Sequence, residues 1–146
     1  VDPRPDAFPQ HVPANVRCVQ PQDTPAALDD APADSFVLVM SHSHSLDLAI
    51  VARALKGHHF AYVGLIGSET KRARFTHQLD RAGLPKEDIQ RMVTPIGVAG
   101  IHSKLPAAIA ASVAADLLVR DEAMRQLLAH GTTGPAEPSA LAMGGH

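Results

Sequence analysis

Three short stretches of this 146-residue chain hold most of the side chains that could do chemistry. "SHSHSLD" brings His42, His44 and Asp47 together, "GLIGSETKR" brings Gly67, Ser68, Lys71 and Arg72, and "PIGVAGIHSK" brings Gly97, Gly100, His102, Ser103 and Lys104. In an extended segment His42 and His44 point roughly the same way, and Asp47 could complete a facial set of metal ligands. A neutral histidine at a helix start can equally cap the helix or meet an anion. Ser68 follows a glycine and opens a helix, whose first backbone N–H groups are free to bind an anion. Basic side chains in that first turn oppose the helix dipole by roughly 0.3–1 kcal/mol each. A phosphate bound there would make Lys71 and Arg72 favourable, and their loss would leave the unliganded fold unharmed. Without an anion, Lys and Arg are simply good helix formers on a solvated face, which is the reading given to Arg74. His11, His58, His59, His77, His130 and His146 are scattered and receive no role.

Regular elements must position these residues. "SFVLVM" (35–40) and "FAYVGLIG" (60–67) are continuous apolar runs suited to strands buried on both faces, and "MVTPIG" (92–97) is a weaker third. Between the first two, "LDLAIVARALKG" has Leu46, Ala49, Ile50 and Ala54 at helical spacing and ends at Gly57. The helix opened by Ser68 buries Phe75, Leu79 and Ala82 and ends at Gly83. "LPKEDIQRM" reads as a short helix and residues 105–130 as a long alanine-rich one. Residues 3–35 read as loop with one short strand near Val16 to Val19, and residues 131–146 as a flexible tail. Strand, loop and helix alternate three times, which predicts an α/β fold with a parallel sheet and helices on both faces. All strand-to-helix loops of such a sheet lie at one edge, where ligands bind, so the three motifs should converge there.

Composition narrows the function classes. Apolar residues are 45%, charged residues 19% and the formal charge is −2, so a basic nucleic-acid surface is not suggested. No run is long and apolar enough for a membrane span. The single cysteine, Cys18, forms no internal disulfide and makes the cytoplasm the default compartment. No G-x-G-x-x-G occurs, yet "VDPR" at residues 1–4 looks like a strand end carrying an acid. In a dinucleotide fold an acid of this kind meets the ribose about 20 residues after the glycine loop. If Asp2 is that acid, the first βα unit of a Rossmann-like sheet lies upstream of Val1.

"VDPRPDAFP", "VLVMSHSHSLDLAI", "FAYVGLIGSETKRARF" and "TPIGVAGIHSKLPAAIAASVAADLL" together resemble the C-terminal Rossmann-like domain of the XdhC/CoxI family, over about residues 1–120. The domain as read spans 1–130. Thr94 stands where many relatives carry Cys, so no thiol can act as a ligand there; Ser43 replaces a frequent Asp and Ala99 a frequent Pro. The resemblance implies an accessory factor that binds molybdenum cofactor (molybdopterin) and delivers it to a xanthine dehydrogenase-type molybdenum hydroxylase. It also implies cofactor-biosynthesis and sulfuration proteins as further partners, and a homodimer. Molybdopterin carries a phosphate, a polar pterin and an anionic dithiolene. The cofactor-binding residues expected are Ser68, Lys71 and Arg72 at the phosphate, with Gly67, Gly97, Ser103, His44, Asp47, Lys104 and Asp2 around the rest. No catalytic pair stands out, which favours a chaperone over a catalyst. Two rival readings remain. One is an NAD(P)-binding oxidoreductase-like domain in a longer chain. The other is a metal-dependent hydrolase using His42, His44 and Asp47.

Overall fold

The computed structural model describes residues 1–131; the tail expected at 131–146 lies, from residue 132 onward, outside the described residues. The chain divides into two compact units, Val1–Ile96 and a second that starts at Gly97.

The first unit is built on three parallel strands, β1 (Phe36–Val39), β2 (Tyr62–Leu65) and β3 (Met92–Val93), in the order β1-β2-β3. Phe36 faces Tyr62 and Val39 faces Leu65 across the first pair, and Val63 faces Met92 across the second. The three apolar runs are therefore adjacent parallel strands, in an open Rossmann-like α/β sheet. β3 is shorter than the run that predicts it. Pro95 has no N–H to give a ladder, so pairing stops within two residues of Met92. The carbonyls of Ser35 and Val39 accept from Ala61 and Ile66 on the β2 side. By strand alternation, the peptide groups of Phe36 and Leu38 face away from β2, toward an open edge.

The crossovers are α1 (His44–Leu55) between β1 and β2, then α2 (Glu69–Arg81) and α3 (Lys86–Gln90) between β2 and β3. Ser43 caps α1 by accepting from the Leu46 N–H, and Ser68 caps α2 by accepting from the Lys71 N–H. The buried face of α1 runs through Asp47, Ile50, Val51, Ala54 and Leu55, so Ala49 is exposed and a carboxylate heads an otherwise apolar stripe. α2 buries Phe75 and Leu79, four residues apart, while Ala82 lies past the helix end and is exposed. These residues meet Val39, Val63, Leu65, Ile89 and Met92 in one core. Burying each such side chain is worth about 1.5–3 kcal/mol, so the core, not strand length, holds the short sheet together.

Val16–Val19 forms no strand: it meets Val1–Pro3 through one backbone bond, Asp2 N–H to the Val19 carbonyl, too little for a ladder. A 3-10 turn at Pro25–Asp30, not anticipated from the loop-like composition, packs against α1 through Leu28.

The second unit holds α4 (Pro106–Gly131), opened by a proline in its first turn. Gly97 precedes it with φ +95°, and a Cβ there would sit 2.4 Å from Ser112 Oγ, which accepts from the Val98 N–H at 2.9 Å. Glycine is thus required by both backbone and space. Asp116–Arg120 and Asp121–Arg125 pair one turn apart along the helix. No helix among the described residues is long and apolar enough to cross a membrane.

Candidate functional site

The loops after β1 and β2 meet at the carboxyl edge of the sheet, and the contact is a buried ion pair. Lys71 Nζ donates to Asp47 Oδ2 at 2.8 Å and to the Ile66 carbonyl at 2.8 Å. Asp47 Oδ1 accepts from the Ser41 N–H at 2.9 Å. The Asp47 side chain is 1% exposed and that of Lys71 11%. Burial pushes the Asp47 carboxyl up, but hydrogen bonds from Lys71 and Ser41 outweigh it and hold the group below its ordinary range. The Lys71 stem lies over the preceding turn, where a Cβ on Gly67 would come 2.5 Å from Lys71 Cδ. The ammonium also stands 5.3 Å from the centre of the Phe75 ring.

This geometry overturns the expectation that Lys71 could be lost without harm. α2 opens with Glu69, which suits the dipole, while the Lys71 ammonium turns back to neutralise a carboxylate on α1. Two of its three protons are engaged, leaving one for a ligand. Arg72 Nη1 donates to the Thr94 carbonyl at 3.3 Å, tying α2 to the end of β3. Arg74 lies on the exposed face, as expected, and is partnered there. Its Nη2 lies 2.7 Å from His44 Nδ1 and its guanidinium 5.9 Å from the Phe75 ring centre. A guanidinium only donates, so His44 Nδ1 accepts, and the neutral ring then carries its proton on Nε2. His44 in this state has no lone pair for a metal, and both Asp47 oxygens are already bonded. Among the described residues, the three-residue group with metal-ligand spacing lies elsewhere, at His58, Glu87 and Asp88, rather than at His42, His44 and Asp47.

Asp2 reaches the same unit from the start of the chain. Arg4 donates to it through its backbone N–H, Nε and Nη2 at 2.8–3.0 Å. The side-chain and then the backbone bonds from Arg4 hold the Asp2 carboxyl well below the usual range, with a smaller electrostatic contribution from His42. Asp2 lines a cavity of about 470 Å³ that runs along the open edge of β1, from Ser35 to Ser41, and is closed by Leu28, Ala31 and Ile50. The fold thus gathers Asp2, His44, Asp47, Gly67, Ser68, Lys71 and Arg72 within its first unit. Gly97, Ser103 and Lys104 belong to the second, where Ser103 Oγ accepts from the Leu105 N–H at 3.2 Å.

Reading residues one motif at a time missed the partners: Ser41 and Ile66 as the backbone cradle of the ion pair, Thr94 beneath Arg72, and the group at His58. The available signal for the first was the phase of α1, because a stripe through Ile50, Val51, Ala54 and Leu55 puts Asp47 on the buried face, where it needs a cation.

No curated protein matches the chain. The family model described as the XdhC Rossmann domain matches residues 1–117. That span includes all three parallel strands and both locked loops, and the chain belongs to the XdhC family, as its Rossmann domain.

Proposed function

We propose that this domain serves the maturation of a xanthine dehydrogenase-type molybdenum hydroxylase by binding molybdenum cofactor and handing it to the apo-enzyme. The observation that carries the reading is the start of α2, locked to α1 by Asp47 and Lys71. The lock fixes a capped helix end whose first amides, at Glu69 and Thr70, lie ahead of the intrahelical ladder and can bind an anionic group. Arg72 and the remaining Lys71 proton, both on the first turn of that helix, add donors, which suits the phosphate of molybdopterin. The polar pterin would extend along the sheet edge past Ser41 toward Asp2. Holding such a ligand needs donors in fixed positions and no general base, in keeping with a carrier rather than a catalyst.

The test is anaerobic titration of molybdenum cofactor into the protein and into Arg72→Ala and Arg72→Lys variants, followed by reconstitution of an apo-xanthine dehydrogenase. A charge-assisted bond to phosphate is worth about 1.5–3 kcal/mol, so Arg72→Ala should weaken binding by roughly ten- to a hundred-fold, with Arg72→Lys between it and the parent. Failure of the parent to bind the cofactor, or equal affinity in all three proteins, would overturn the reading.

A further inference from the structure

We propose that the hydroxyl of Thr94 is a further donor of the anion site at the start of α2, reaching a bound phosphate when Arg72 leaves the Thr94 carbonyl for the ligand. The inference rests on the anion-binding reading of that helix start and adds a residue and a motion to it.

The observation that points to a ligand is an unused donor. Thr94 is 2% exposed, and its Oγ1 is buried with no hydrogen-bond partner among the described residues. A threonine hydroxyl can both donate and accept, and a buried one is normally bonded. The backbone of the same residue is engaged, because its carbonyl accepts from Arg72 Nη1 at 3.3 Å. The side chain alone is left over.

Its placement follows from the sheet. Val63 faces Met92 and Gly64 faces Val93, so the next position, Thr94, falls beside Leu65, just before the turn at 66–68 that feeds α2. Neighbouring strands stand about 4.8 Å apart. Strand alternation puts Thr94 on the face of Met92, which shares one core with Phe75 and Leu79 of α2. The hydroxyl therefore points to the side of the sheet on which α2 begins, where the amides of Glu69 and Thr70 lie ahead of the helical ladder.

Arg72 closes the way to it. This exposed residue reaches back to Thr94 by one bond whose 3.3 Å is long for its kind. An oxyanion offers the guanidinium a charged, two-pronged partner, a stronger one than a single carbonyl. With Arg72 drawn to the ligand, the Thr94 hydroxyl is uncovered at the floor of the site. A hydroxyl donates well to oxygen and poorly to sulfur, so this floor takes the phosphate end of the cofactor rather than its dithiolene.

The test uses inorganic phosphate as the first probe and molybdenum cofactor as the second, on the parent, Thr94→Val and Thr94→Ser. Valine keeps the branched shape and removes the hydroxyl, whereas serine keeps the hydroxyl. No bond is lost in the free protein, so phosphate-free Thr94→Val should melt at the parent's temperature or above it. Its affinity for phosphate should fall roughly tenfold or more, while that of Thr94→Ser stays close to the parent's. A phosphate-free Thr94→Val midpoint well below the parent's would mean that the hydroxyl is already bonded inside the fold, and would overturn the inference. Equal phosphate affinity in the parent and Thr94→Val, or no phosphate binding by the parent, would overturn it too. The second probe separates the two readings. Phosphate held through Thr94 by a protein that takes up no molybdenum cofactor keeps this donor and removes the cofactor reading; cofactor affinity that depends on Arg72 but not on Thr94 does the reverse.

Discussion

Replacing Lys71 by Met removes the cation paired with a carboxylate that is 1% exposed. Met keeps the stem that packs over Gly67 and Phe75, so the change isolates the charge. Breaking a buried pair from one side leaves an unpaired charge and costs about 3–5 kcal/mol. For a chain of this size that is a fall of about 10–20 °C in thermal midpoint. Asp47→Asn should cost less, because the amide oxygen still accepts from Ser41 and Lys71 keeps the Ile66 carbonyl. The double variant, with neither charge, should lie well above the sum of the two losses, giving a coupling of about 2 kcal/mol or more. Acid adds a second signature. In Lys71→Met, burial acts on Asp47 against the Ser41 hydrogen bonds alone, so its pKa rises relative to the parent and lowering the pH from 7 to 5 should narrow the gap. Denaturant melts of the four proteins at both pH values decide the matter. A Lys71→Met protein within 1 kcal/mol of the parent at pH 7, or a gap that ignores pH, would refute the reasoning.

The parent should lose stability in acid partly through Asp47. Its folded pKa lies below the ordinary 3.8, so the ionised group stabilises the fold above that value, and the contribution drains away as pH falls through the lower, folded one. Acid titration of stability should therefore be shallower for Asp47→Asn. Gly64→Ala should destabilise by about 1–3 kcal/mol in denaturant melts, because the new methyl would stand 2.4 Å from the hydroxyl of Tyr62. Phe75→Ala, at a position 1% exposed beneath both helices and sheet, should cost about 3–5 kcal/mol by the same measurement.

The strands were legible because continuous apolar runs such as Phe36–Val39 and Tyr62–Leu65 suit little else than a sheet covered on both sides. Their parallel order made it legible that the loops after β1 and β2 would meet. The meeting itself was not, because it turns on a rotation of α1 by one residue. With Ala49 inward, Asp47 would face water and Lys71 would have no partner. The third loop follows a proline that stops β3 after Val93, and Gly97 already belongs to another unit. His58 and Asp88 are 30 residues apart and carry no motif; only the left-handed turn at Gly57 and His58 brings them into range.

β2 has a parallel neighbour on each side and no exposed residue along its length. Its amide protons can reach solvent only when the sheet comes apart, so they should report the global opening of the unit. The protons of Phe36 and Leu38, facing the cavity along the open edge of β1, need only local fluctuation to exchange. The sheet therefore has a slow centre and a fast margin within 5 Å or so of each other, about the spacing of adjacent strands. The fast margin is the stretch beside Asp2 and Ser41, so a molecule lodged in that cavity would slow the local exchange of β1 directly, and that of β2 only by as much as it raises the stability of the whole unit.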